Sequence, residues 1–365
     1  MYKLIRFKAT RTTRVAAAVV TVAAVVAGGA GIAAGQGNAA NDRFNDPTLE
    51  QRVLTIHGTN AADAIALRLS ALQRGVLQVD VGDDGTADFE FNTAKLAAII
   101  AKAGNGDDTV RIDEGNGIFS DAIPTTLDGG NGDDSLTGGS GAGTLDGGNG
   151  NDTLAGGNGD ETLFGGNGDD SIDGNKGADV GVLGNGDDAF IWDAGDGSDV
   201  IEGQDGFDTM VFNGAGAAEH FDLRAVGHRF EFFRDVGIIT MDTDGVERVD
   251  ANTLGGTDVV TVNDLSGTDV TEVNVDLAAA LGGTAGDGAA DRVVVAGTKG
   301  DDTIDVSGDA AGVSVTGLAA TVGVRHAEPA NDRLEIETVG GADTITTAGL
   351  AAGVIQLFVD GTLVP

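Results

Sequence analysis

Residues 147–173 read GGNGNDTLAGGNGDETLFGGNGDDSID, nearly the same nine residues three times. Each copy runs Gly-Gly-Asn-Gly, then two mostly acidic or amide residues, a hydroxyl residue, and Leu or Ile. Glycine there lets the backbone take positive φ and turn sharply. The single aliphatic at the centre of the last three residues marks a very short strand with one side chain facing inward. Repetition at a fixed period is the signature of a stacked, repeating architecture.

The register extends outward from that stretch. Units begin at Gly129, Gly138, Gly147, Gly156, Gly165, Gly174 and Leu183 without a slip. Their eighth positions are Leu136, Leu145, Leu154, Leu163, Ile172, Gly181 and Phe190, so only Gly181 breaks the apolar series. After a two-residue insertion the pattern resumes at Ala194 and Gly203, and an isolated unit, AGNGDDTVR, stands at 103–111. Two units close one coil of a flattened spiral, and strands of successive coils stack in parallel about 4.8 Å apart. The expected fold class is all-β: a parallel β-roll or right-handed β-solenoid, flanked by looser β-helix-like coils.

Composition agrees. Glycine numbers 61 of 365 residues, more than twice the usual share of about 7%. Hydrophobic residues make up 41% and aromatics only 4%, which points to a core of Val, Leu, Ile and Ala. Asp and Glu number 58 against 21 Lys and Arg, for a net charge of −37. Such a chain repels nucleic acid and anionic membrane, and repels itself when compact. Counter-charge is needed, and divalent cations are the obvious source. Cysteine is absent, so disulfides cannot staple the fold.

Four segments are expected. Residues 1–40 read as a secretory signal: a basic stretch to Arg14, the apolar run 15–34, then small residues up to Ala40. Residues 41–102 form an N-terminal β region capping the solenoid, 103–211 the nonapeptide β-roll, and 212–365 a degenerate β-helix region. In the flanks, Arg52, Arg248, Arg292 and Arg333 each precede Val or Leu, with an Asp (Asp63, Asp258, Asp302, Asp343) ten or eleven residues later. They read as structural rungs. The stretch 93–103, TAKLAAIIAKA, is the best helix candidate, and 83–91 and 243–249 suggest Asp-Gly hairpin turns.

The turn chemistry suits calcium, which takes six to eight oxygen ligands in forgiving geometry. Sixth-position acids fall on two faces of the spiral, eighteen residues apart on each. One face carries Asp134, Asp152, Asp170 and Asp188, continued by Asp208; the other carries Gly143, Glu161 and Asp179, continued by Asp199, and the isolated unit adds Asp108. Gly143 has no carboxylate and Glu161 is one methylene too long, so the first face is expected to hold about four good sites and the second one or two weaker ones. Completing the candidate cages are Gly130, Asn131 and Gly132; Gly148, Asn149 and Gly150; Gly157, Asn158 and Gly159; Gly166, Asn167 and Gly168; and Gly184, Asn185 and Gly186.

This block resembles the hemolysin-type, or repeats-in-toxin, calcium-binding nonapeptide G-G-x-G-x-D-x-U-x, where U is aliphatic. The resemblance implies a parallel β-roll holding several Ca2+ ions in its turns, in a secreted protein that folds on meeting extracellular calcium. The function so implied is a secreted structural or adhesive role, outside the cell or on its surface. Its partners would be calcium and a cell-surface or matrix polysaccharide or protein, with no nucleic acid and no membrane after signal cleavage.

The rival is a calcium-dependent β-helix enzyme acting on acidic polysaccharide. Its candidate groups are thin: Lys299, Arg292, Arg229 and Asp235. No G-x-S-x-G or H-E-x-x-H occurs, and His57, His220, His228 and His326 show no ligand spacing. The stretch from Asp80 to Phe91 lacks the acids an EF-hand needs. The expectation is therefore no enzyme.

Overall fold

A computed structural model describes residues 44–365. The expected secretory signal at 1–40 lies outside them. Two long sheets, of 16 and 15 strands, run through the described residues. The only helical element among them is the single 3-10 turn Thr93–Lys95.

In the repeat block each coil contributes one short strand to each sheet. Gly143–Asn149 lies between Thr125–Asn131 and Thr162–Asn167, all parallel, with Leu145 opposite Leu127 and Leu163. In the other sheet Thr153–Gly157 lies between Ser135–Thr137 and Ser171–Asn175, with Leu154 opposite Leu136 and Ile172. Consecutive nonapeptides therefore alternate between sheets, and two make one coil. The aliphatic spine is sealed: Leu127, Leu136, Leu145, Leu163 and Ile172 have no exposed surface. Full burial of such a side chain contributes about 1.5–3 kcal/mol. The gap at Gly181 is filled from across the core. A Cβ there would stand under 3 Å from the Phe190 ring, so the small residue admits the large one.

Two expectations fail. The stretch 93–103 is not a helix. Beyond its 3-10 turn, Ala98–Asn105 is a strand pairing in parallel with Val53–His57 and Thr125–Asn131. Ile99, Ala101 and Ala103 alternate inward, so a period of two with partners on both sides overrides alanine's helix propensity. The segment 243–249 is not a hairpin either. Ile239–Asp244 and Arg248–Asn252 lie in different sheets, and the turn carries the chain across the solenoid. At 83–91 the hairpin is present: Val76–Val81 pairs antiparallel with Phe89–Asn92 around Asp83, Asp84 and Gly85.

The flanks hold both parallel coils and antiparallel excursions. Arg292 lies opposite Arg333 in neighbouring parallel strands. Arg248 faces Glu272 in the other sheet, and Arg52 occupies a turn at φ 71, so the four arginines do not form one column. His220–Val226, Arg229–Arg234 and Ile239–Asp244 form an antiparallel meander spliced into the larger sheet. A second meander, Thr303–Asp309, Gly312–Thr316 and Thr321–Arg325, sits in the smaller one.

Candidate metal centre

The turns joining the two sheets place sixth-position carboxylates in columns. On the first face Asp134 Oδ1 accepts the backbone N–H of Asp108, and Asp152 Oδ1 that of Asp134. Asp170, Asp188 and Asp208 repeat the contact, each at 2.7–3.0 Å. The column's ends escape sequence reading. Asp63 donates its N–H to Asp108 Oδ1, and Glu247 Oε2 accepts from Asp208. Both lie outside the nine-residue period; the Arg52-to-Asp63 spacing picks out Asp63 but does not tie it to this column.

Each carboxylate commits one oxygen to this ladder and leaves the other without a partner. The Oδ2 atoms of Asp108, Asp134, Asp152, Asp170, Asp188 and Asp208 are buried and unbonded. The residues are 0–3% exposed. Leaving a buried carboxylate oxygen unsatisfied is costly unless a cation meets it. Position-one glycines make the room. A Cβ on Gly129 would stand under 3 Å from both Asp134 Oδ2 and the Gly147 carbonyl of the next coil, and Gly147 repeats this with Asp152 Oδ2 and Gly165. Carboxylate and neighbouring carbonyl thus face one point. Gly148 and Gly150 at positions two and four adopt φ 105 and 127, out of reach of ordinary L-residues.

The second face is less regular. Asp179 Oδ1 accepts from Glu161 and Asp199 Oδ1 from Asp179, while Asp179 Oδ2 and both Glu161 oxygens are unpartnered. At its start, near Gly143, no carboxylate enters the column. Instead Glu114 reaches in, accepting from Phe119 N–H, Ser120 N–H, the Ser120 hydroxyl and Ser140 N–H. Burial alone would raise its pKa, but these donors outweigh it and hold Glu114 at about 2. That position is satisfied by protein.

The asparagines stand elsewhere than expected. Asn131, Asn149, Asn167 and Asn185 are exposed, and each donates its side-chain amide to the preceding one's Oδ1, starting at Asn105. Asn158 turns toward Ser140 Oγ at 3.5 Å. This outer ladder straightens the stack, and the asparagine side chains do not enter the cradles. The fifth-position residues Asp133, Asn151, Asp169 and Asp187 form a second outer ladder, in which each backbone N–H donates to the preceding residue's side-chain Oδ1.

Electrostatics mark the inner columns. Burial first, then neighbouring acids, raises Asp134 and Asp152 to about 6, Asp170, Asp199 and Asp208 to about 7, and Asp179 to about 8. Glu161 is raised to about 7 by burial and by Asp160. Among the described residues no three His, Cys, Asp or Glu side chains cluster as a metal centre. A cation in these turns would take one carboxylate per turn and complete its shell from backbone carbonyls. That all-oxygen donor set fits calcium.

No curated protein matches the chain significantly. Among solved structures, the extracellular lipase LipA from Serratia marcescens aligns at 11% identity over 63% of this chain, with a TM-score of 0.16. The chain spans 43% of that protein's length. Residues 125–154, 155–190 and 193–211 match the model of the RTX calcium-binding nonapeptide repeat, in 4 copies. The stacked cradles are thus carried by a β-roll of RTX calcium-binding nonapeptide repeats.

Proposed function

We propose that the protein is an exported calcium-binding solenoid that closes its repeat block around several calcium ions and serves a structural or adhesive role outside the cell. The observation carrying this reading is the column of buried, unpartnered Oδ2 atoms at Asp108, Asp134, Asp152, Asp170, Asp188 and Asp208. Bound calcium supplies the positive charge that lets these carboxylates ionise in the interior. The chain's own part is geometric. Glycines at positions one, two and four clear the cradle, Oδ1 ties each turn to the previous coil, and the aliphatic spine keeps the coils in register. Asp179, Asp199 and Glu161 form the weaker second face.

Export and an extracellular station agree with the acidic composition and the basic-apolar leader. Among the described residues no helix is long and apolar enough to cross a membrane. Two of the three cationic groups weighed for an enzyme are already engaged by protein acids. Arg229 is held by Glu202 and Asp242, and Arg292 by Glu335.

Titration calorimetry of the metal-free chain tests this reading. Calcium should bind saturably with several ions per chain, and magnesium at least about tenfold more weakly, because it demands a small rigid octahedron and gives up water reluctantly. The absence of saturable calcium binding at millimolar concentration would contradict it.

A further inference from the structure

Two kinds of acidic turn recur in the solenoid, told apart by the residue four places before the carboxylate. In the cradle turns that residue has positive φ, as at Gly130 (106), Gly148 (105), Asn175 (60) and Gln204 (77), and the carboxylate keeps an unpartnered oxygen. In the closed turns that residue has no positive φ, and its own N–H donates to the second carboxylate oxygen. Thr59 closes Asp63 in this way, Ala215 closes Glu219, Thr298 closes Asp302 and Glu328 closes Asp332, at 2.5–2.8 Å. In a closed turn the oxygen that a cradle leaves free is taken by a backbone N–H.

Among the described residues beyond the repeat block, one turn is of the cradle kind. Thr253–Asp258 reads T-L-G-G-T-D and matches no repeat model. Leu254 and Gly256, at positions two and four, take φ 68 and 136, positive like Gly148 and Gly150, with Leu254 nearest to Asn175 and Gln204 in the repeat block. That conformation is strained for a leucine, whose Cβ crowds the following carbonyl. Asp258 is 1% exposed. Its Oδ1 accepts from Glu219 N–H, its N–H donates to Asp291 Oδ1, both at 2.8 Å, and its Oδ2 has no partner. Thr253 stands where repeat units carry glycine; its hydroxyl donates to the Asp276 carbonyl, and its Cβ makes this cradle narrower than those beside Gly129 and Gly147.

The neighbouring turn shows the alternative to metal. Glu219, in the coil before Asp258, is buried against Arg234, whose guanidinium also lies over Trp192. A protein cation already neutralises Glu219, and none pairs with Asp258 among the described residues. Burial, with Asp291, Glu219 and Asp287, raises Asp258 to about 7.

We propose that the turn Thr253–Asp258 is a further divalent-cation site, taking calcium on Asp258 Oδ2 and on backbone carbonyls of the flanking coils. It rests on the reading of the repeat turns as calcium cradles. The test is anomalous diffraction from crystals of the full chain grown with terbium(III), and again with terbium displaced by excess calcium. Expected are peaks along the repeat column and one more within about 2.3–2.6 Å of Asp258 Oδ2, weakened by calcium. Asp258→Asn keeps the acceptor for Glu219 N–H and should lose that peak alone. Leu254→Gly, which takes the same φ freely, should retain it. Peaks on the repeat column with none at Asp258 overturn this site and leave the repeat reading standing. No peaks anywhere overturn both.

Discussion

In metal-free buffer the protein should be more ordered at pH 5 than at pH 8. The sign follows from the inner carboxylates. In the folded chain Asp134 and Asp152 titrate at about 6, Asp170 and Asp208 at about 7 and Asp179 at about 8, all above the ordinary 3.8. The cause is first burial, then like charge. Between about pH 4 and pH 8 the folded state therefore binds more protons than the unfolded one, and stability falls as pH rises through that window. A tenfold change in proton affinity corresponds to about 1.4 kcal/mol. Even at a third of full strength, the effect summed over these carboxylates is comparable with the roughly 5–15 kcal/mol by which domains are stable. Circular dichroism in EDTA should show β signal and a melting transition at pH 5, both reduced or lost at pH 8. Calcium reverses the dependence, because metal and proton compete for the same oxygens and metal wins as pH rises. An EDTA melting temperature unchanged from pH 5 to pH 8 would contradict this account of the columns.

Gly148→Ala should be strongly damaging for the addition of a single methyl in the repeat block. The residue sits at φ 105, and a Cβ would stand under 3 Å from the carbonyl of Gly130 in the preceding coil. The atoms it meets are all backbone, so relief requires the coils to separate, which opens the ladder between Asp134 and Asp152. Strain of this kind costs about 1–3 kcal/mol from the dihedral alone. In saturating calcium the melting temperature should fall by about 5–10 °C. Gly216→Ala is the matched control: φ there is not positive and nothing lies within 4 Å of the added carbon. It should change the melting temperature by no more than a degree or two. Equal losses in both variants would show that the coils are not in backbone contact.

The repeat block was legible because its order is local and periodic. The nine-residue step predicted the aliphatic spine, the alternation between two sheets and the grouping of Asp134, Asp152, Asp170 and Asp188 on one face. What the period does not encode went unread. Phe190 fills the gap at Gly181 from the facing sheet, and Glu114 closes the second face from an insertion. Asp63 and Glu247 end the first column through contacts 45 and 39 residues away in sequence. The helix expected at 93–103 failed because Ile99, Ala101 and Ala103 satisfy a strand's alternation, and pairing on both sides decides between the readings. The asparagines were placed at the cages by their position in the nonapeptide; their side chains form the outer ladder, a contact between coils that the motif does not specify. Leu254 escapes the motif in another way, adopting a glycine's conformation where no glycine stands.

Amide hydrogen exchange over residues 103–211, compared between EDTA and saturating calcium near pH 7.5, tests the central claim most directly. The N–H groups of Asp134, Asp152 and Asp170 each donate to the carboxylate of the next coil, so their protection reports whether the stack is closed. With calcium they should exchange at least about a hundredfold more slowly than in chelator, together with the amides of the aliphatic spine. Equal, slow exchange in both buffers would mean that the coils hold without cations, and the account would be wrong.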